Sequence, residues 1–220
     1  MESMEAIEKR HSVRQYTDKK IDAVTVAALQ REIDDCNKES GLHIQMVTDD
    51  PAAFNGMMAR YGKFSGVQNY IAVIGRKSSE LENKCGYYGE RIVLLAQLLG
   101  LNTCWVAMTF SKGAAKKRAD IKPGEKLAIV IAVGYGETQG VPHKSKSMKE
   151  LCEADGEMPD WFRSGMEAAM LAPTAVNQQK FRFSLKDDTV RLESLGGFYS
   201  QIDLGIVKYH FELGSGRKVG

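Results

Sequence analysis

Four short stretches of this sequence carry residue types suited to holding an anion or a planar ring. Arg10-His11-Ser12-Val13-Arg14 sets two guanidinium groups and a hydroxyl at alternating positions. In an extended chain alternate side chains share a face, so Arg10, Ser12 and Arg14 can converge on one anion. Guanidinium forks match phosphate oxygens two at a time, and serine adds a donor. Read alone, the pentapeptide is also what a solvated basic edge looks like. His143-Lys144-Ser145-Lys146 is a second basic cluster, equally readable as a charged surface loop. Together the two clusters could neutralise a phosphate monoester of about two negative charges.

Ala172-Pro173-Thr174-Ala175-Val176-Asn177-Gln178-Gln179 combines small residues, a hydroxyl and three side-chain amides. Amides carry donors and acceptors together, which suits the edge of a flavin or purine ring, although a helix stop followed by a turn reads the same way. Asn102-Thr103-Cys104-Trp105-Val106-Ala107-Met108 follows Gly100 and is a buried strand by pattern. Its backbone could also lie edge-on to a planar ligand.

Other chemistries find no support in the motifs. Gly134-Tyr135-Gly136 with Gly140 has the wrong spacing for a dinucleotide fingerprint, and Pro142 and lysines follow where a helix should start. The glycines read as a tight strand exit. His11, His43, His143 and His210 are scattered, with no nucleophile elbow and no phosphate-binding loop of the Walker type. His43 and His210 read as structural. Cys36, Cys85, Cys104 and Cys152 lie far apart, as reduced buried thiols do, and give no zinc framework.

With 43% hydrophobic residues, 220 residues can bury a sizeable core. A net charge of +2 on a mixed surface gives no reason to expect nucleic acid. Residues 1–20 are polar, with neither an apolar signal core nor a small-residue cleavage site. The longest apolar runs, such as 127–133, are strand-sized, so no membrane span is expected. A cytoplasmic protein is the expectation.

The elements that must position these residues follow from periodicity. Helices are predicted over 2–10, with Met4 and Ile7 inward, and over 22–39, with Val24, Ala27, Leu29 and Ile33 apolar. Gly41 stops the second, and 43–47 reads as a strand. Asp50-Pro51 opens a helix to about 60, 69–75 is a buried strand, and 78–99 is a helix interrupted by Gly86 and Gly89. A strand over 103–108, a basic helix over 111–119 and a strand over 127–134 follow. Helices over 161–171 and 200–213, the latter ending in Gly214, flank a hairpin of 181–185 and 190–195 around Asp187-Asp188. The order helix, loop, strand of 29–47 recurs over 166–185, and the helix 87–99 recurs as 200–213. That pattern suggests an internal duplication.

In this order the motifs resemble the nitroreductase family. Arg10-His11-Ser12-Val13-Arg14 differs from the family's R-R-S-x-R at one position. Leu99-Gly100-Leu101-Asn102-Thr103-Cys104-Trp105 matches its G-L-G-T-x-W, and Lys144-Ser145-Lys146 its basic-small-basic element. Ala172 to Phe181 resembles A-P-S-x-x-N-x-Q-P-W, with Lys180-Phe181 replacing Pro-Trp. In typical members the last motif follows the second helix, where this chain has only Asp35 to Gly41. Those members are homodimers that give the segment across the interface. A duplicated chain can supply it in cis.

The resemblance implies an α+β fold with a central, mainly antiparallel mixed sheet flanked by helices. It also implies one domain built of pseudo-repeats, approximately 1–110 and 111–220. It implies non-covalent FMN, with Arg10, Ser12, Arg14, Lys144 and Lys146 at the phosphate and ribityl chain and His11 beside them. Thr174, Ala175, Asn177 and Gln179 approach the ring or ribityl. Backbone groups of Val106 and Ala107 face the flavin N5 and O4 edge. No side chain is catalytic, since the chemistry is on the flavin. NAD(P)H would reduce the flavin, and a nitroaromatic or quinone would reoxidise it, in ping-pong order. A monomeric pseudo-dimer with one flavin is favoured over a homodimer. The alternatives are a flavin store or sensor without robust turnover, another flavin reaction on the same fold, and a binding module without flavin.

Overall fold

A computed structural model describes residues 2–219. In chain order it forms α1 (Glu2–Lys9), α2 (Ala23–Ser40), β1 (Gln45–Val47), a 3₁₀ turn (Pro51–Ala53), α3 (Met57–Tyr61), β2 (Asn69–Arg76) and α4 (Leu81–Leu98). There follow β3 (Asn102–Val106), α5 (Lys112–Arg118), β4 (Glu125–Gly134), α6 (Met148–Leu151), β5 (Cys152–Ala154) and α7 (Asp160–Met170). A 3₁₀ turn (Ala175–Asn177), β6 (Phe181–Lys186), β7 (Thr189–Ser194) and α8 (Ser200–Ser215) complete it. The fold is α+β, with an antiparallel sheet flanked by helices. Among the described residues no helix is long and apolar enough to cross a membrane.

The chain folds as two compact units. One comprises Arg10–Leu81 and Ile92–Val141 by residue span, the other α1, Glu82–Arg91 and the chain from Pro142 on. The first is built on a wholly antiparallel sheet of order β1-β2-β4-β3. Its central strand β2 reads NYIAVIGR and is buried from Asn69 to Gly75, as a strand covered on both faces must be. Phe54 anchors one face, with ring centroids 5.3 Å from Phe64, 6.0 Å from Tyr70 and 6.2 Å from Phe110. Helix α2 starts on Asp22, whose carboxylate accepts from Val24 N and Thr25 N, and stops at Gly41 in the left-handed region. Its buried stripe is Leu29, Ile33 and Cys36. Val24, expected inward, is instead 78% exposed, because it lies about 140° around the helix from Leu29.

The second unit packs α7 and α8 with α6 and a sheet of order β5-β6-β7. Phe211 of α8 stacks on Phe183 at 4.5 Å and meets Phe162 edge-on at 5.4 Å. The β6–β7 hairpin turns on Asp187 and Asp188 at φ 47° and 63°, the paired left-handed residues that suit a two-residue connection. Fully buried His210 places Nδ1 3.1 Å from the Ala168 carbonyl and Nε2 2.9 Å from Glu90 Oε1.

Several expectations are corrected. The helix expected from Asp50-Pro51 to about 60 is two pieces, a 3₁₀ turn and α3, separated at Asn55-Gly56. Helix α4 is continuous through Gly86 and Gly89. Gly86 is there for close approach: a Cβ on it would lie 2.0 Å from the Ile202 carbonyl oxygen, and one on Gly205 of α8 the same distance from that of Asn83. Helix α8 passes through Gly214 and is capped by Gly216. The strand expected to reach Met108 stops at Val106, opposite Val130, and Met108 is exposed. Strand β5 and helix α6, of three and four residues, are too short to show a period and were not expected.

Candidate functional site

In the unit that carries Arg10–Leu81, residues beyond α1 run extended and are bonded on both sides. Val13 N donates to the Thr103 carbonyl at 3.0 Å, Ser12 pairs in parallel with Thr103, and Ser65 N donates to the Arg14 carbonyl at 3.0 Å. Val13 points into the core, and the Tyr16 hydroxyl donates to its carbonyl at 2.8 Å. A backbone pinned this way fixes where Arg10, Ser12 and Arg14 stand.

Those three side chains share one neighbour. Both guanidinium charges and the Ser12 hydroxyl act on the Cys104 thiol, which itself donates to the Trp105 carbonyl at 3.6 Å. Burial nonetheless dominates and pushes that thiol's pKa up, with the charges of Arg14 and Arg10 working against it. Arg10 is buried, while Arg14 is exposed and its guanidinium lies 5.9 Å from the Phe64 ring centroid. A basic, hydroxyl-bearing spot with one arm sunk in protein and another reaching solvent suits an anionic group presented from outside. His11 lies half-buried beside Gly140. At the end of β3 the Val106 side chain is buried in the core, so only its backbone can meet a ligand, and Ala107 follows half-buried outside the ladder.

In the other unit the basic loop and the amide-rich turn are tied together. The Lys144 carbonyl accepts from Asn177 Nδ2 at 3.0 Å and Gln179 Nε2 at 2.9 Å. Lys146 N donates to Gln179 Oε1 at 2.8 Å, and Lys146 Nζ to the Gln179 carbonyl at 3.0 Å. Gln179 N donates to Thr174 Oγ1 at 3.0 Å. Ser145 Oγ donates to the Met170 carbonyl at 3.1 Å, with His143 Nε2 at the same distance, fastening the loop to the end of α7. The structure therefore brings together Lys144, Lys146, Thr174, Asn177 and Gln179. The Lys144 side chain is exposed, and that of Lys146 is turned onto the backbone.

Ala175 is held by a residue that sequence reasoning missed. Asp203, 6% exposed on α8, accepts from Ala175 N at 2.9 Å and from Gln178 Nε2 at 2.7 Å. Burial raises its pKa to about 6, against those two bonds, which lower it. The available signal was a carboxylate inside the apolar run Ile202-Asp203-Leu204-Gly205-Ile206-Val207, all of it buried. Among the described residues no group of three or more His, Cys, Asp or Glu is placed to hold a metal.

The family model described as "Putative TM nitroreductase" matches residues 2–215. Among solved structures, a nitroreductase of Thermotoga maritima superposes with a TM-score of 0.68 at 24% identity, over 97% of this chain and 83% of that one. A protein of Bacteroides thetaiotaomicron described as an NADH dehydrogenase/NAD(P)H nitroreductase gives 0.54 at 21%, over 68% and 95%. A nitroreductase of Desulfovibrio desulfuricans in complex with FMN gives 0.55 at 17%, over 71% and 96%. At these identities the likeness is one of fold. No curated protein matches the chain in sequence.

Proposed function

The chain belongs to the nitroreductase family, and from that premise we propose that it is an FMN-dependent oxidoreductase using NAD(P)H to reduce nitroaromatic or quinone-type acceptors. The observation that carries this reading is the alternation of Arg10, Ser12 and Arg14 along an extended backbone pinned to Thr103 on one side and Ser65 on the other. In the proposal this segment cradles the phosphate monoester of FMN, the ligand present in the Desulfovibrio desulfuricans structure.

The residues present fit FMN. Arg10 and Arg14 supply fork-shaped donors for phosphate oxygens and Ser12 a hydroxyl. In the proposal His11, Lys144 and Lys146 add to the phosphate and ribityl side. Thr174, Ala175, Asn177 and Gln179 form the turn that meets the ring or ribityl, and the backbone of Val106 and Ala107 faces the N5 and O4 edge. FMN, when bound, supplies a hydride acceptor and donor at N5. The protein binds and orients; no side chain is required as nucleophile or general base. Donor and acceptor use one face in turn, which makes the order ping-pong.

The proposal extends to a cytoplasmic, single-chain pseudo-dimer with one FMN and no nucleic-acid or membrane partner. Four buried free thiols support a reducing compartment. Titration with FMN tests the cofactor: tight binding at one per chain is expected, and no binding would overturn the reading. Bound flavin that NAD(P)H fails to reduce would instead favour storage or sensing.

A further inference from the structure

The turn from Thr174 to Gln179 is held in a conformation that its own residues disfavour. Val176, Asn177 and Gln179 stand at φ 47°, 55° and 46°, and none is glycine. The penalty is greatest for Val176, whose branched Cβ crowds the backbone in the left-handed region. Packing offers it no return, since its side chain is 85% exposed. Such a backbone persists only where its surroundings over-determine it.

Two side chains do so. Asp203 grips the front of the turn through Ala175 N and Gln178 Nε2, and that Gln178 amide is shared with the Phe198 carbonyl at 2.7 Å. Gln179 grips the back. Its Nε2 donates to the Lys144 carbonyl and, at 2.9 Å, to Asn177 Oδ1, while its Oε1 accepts from Lys146 N. The Ala175 N–H and both amide hydrogens of Gln179 are thus spent inside the unit. Among the groups the turn still presents are the Thr174 hydroxyl hydrogen, the second amide hydrogen of Asn177 and the outward face of Val176.

From this geometry we propose that Asp203 is a positioning residue for FMN, holding the turn rigid before the cofactor arrives so that Thr174, Val176 and Asn177 meet it. Ala175 and Gln179 then shape the turn. This role rests on the FMN reading above. A preordered turn moves the cost of ordering from binding to folding, so loosening it weakens binding.

The test compares wild type with Asp203→Ala, Asp203→Asn and Val176→Gly by three readouts: FMN Kd by fluorescence, visible circular dichroism of bound FMN, and hydrogen exchange at Ala175 N–H without FMN. Losing an ionised acceptor should raise the Kd of Asp203→Ala about ten- to hundredfold. Ala175 exchange should quicken and the dichroism of the flavin that still binds should change. Asp203→Asn keeps one acceptor and should fall between. Val176→Gly relieves the strain, so it should be at least as heat-stable as wild type yet bind FMN more weakly; it carries the test if Asp203→Ala does not fold. Wild-type Kd and dichroism in Asp203→Ala, or in Val176→Gly, would overturn the role. A wild type that binds no FMN would fell the cofactor reading and this role with it, while Ala175 exchange would still report whether Asp203 holds the turn.

Discussion

Arg14 separates the phosphate end of the proposed ligand from the rest of it. Its guanidinium is exposed, and its backbone carbonyl, bonded to Ser65, survives truncation of the side chain. Arg14→Ala should therefore weaken FMN binding by about ten- to hundredfold, the worth of charge-assisted bonds to phosphate. Riboflavin, which lacks the phosphate, should bind wild type and variant alike. Equal losses for both ligands would show that Arg14 acts on the fold rather than on the phosphate. Asp203 makes a second prediction at this scale. Its folded pKa of about 6 lies above the ordinary aspartate value of 3.8, so the folded chain holds the proton more tightly than the unfolded one. Its stabilising contribution is full below about pH 4 and is lost as pH rises through about 6, by about 3 kcal/mol. Stability of wild type minus that of Asp203→Asn, measured by denaturant unfolding, should fall by that amount across the window; a flat difference would contradict it. The Arg10–Ser12–Arg14 alternation was legible in sequence because alternation survives in any extended chain. Asp203 was not, because its partner amides lie 25 and 28 residues away, and sequence pattern does not carry that pairing.

Local signals with a local cause were readable among the elements. The Asp50-Pro51 start, the Gly41 stop and the Asp187-Asp188 turn each act within a few residues of themselves. Glycines were misread where their cause is a distant neighbour. Gly86 lies in mid-helix, where propensity alone says alanine would stabilise, yet its Cβ would meet the Ile202 carbonyl. Gly86→Ala should lower stability by about 3 kcal/mol as the helices are forced apart. Gly113 in α5 has nothing within 4 Å of an added Cβ, so Gly113→Ala should raise stability by about 0.5–1 kcal/mol. Denaturant unfolding of the two variants checks both signs, and a stabilised Gly86→Ala would contradict the close approach.

On the scale of the whole chain, α7-β6-β7-α8 runs helix, strand, antiparallel strand, helix, and α2-β1-β2-α4 keeps that order with a 3₁₀ turn and α3 inserted between its two strands. This recurrence supports the proposed duplication. The compact units do not follow the boundary near residue 110, since α1 and the first half of α4 lie with the chain beyond Pro142. Periodicity gives the order of elements but not their partners, and this interleaving is a matter of partners. Only one half carries an Arg10-to-Arg14 element, and the proposed single flavin per chain follows from that asymmetry.

The most direct measurement is the absorbance spectrum of protein saturated with FMN and desalted, recorded before and after anaerobic addition of NADH or NADPH. The proposed oxidoreductase retains one FMN per chain, and its flavin band bleaches. Two FMN per chain would contradict the single-site pseudo-dimer, and a colourless protein would contradict the cofactor assignment and every site residue that depends on it.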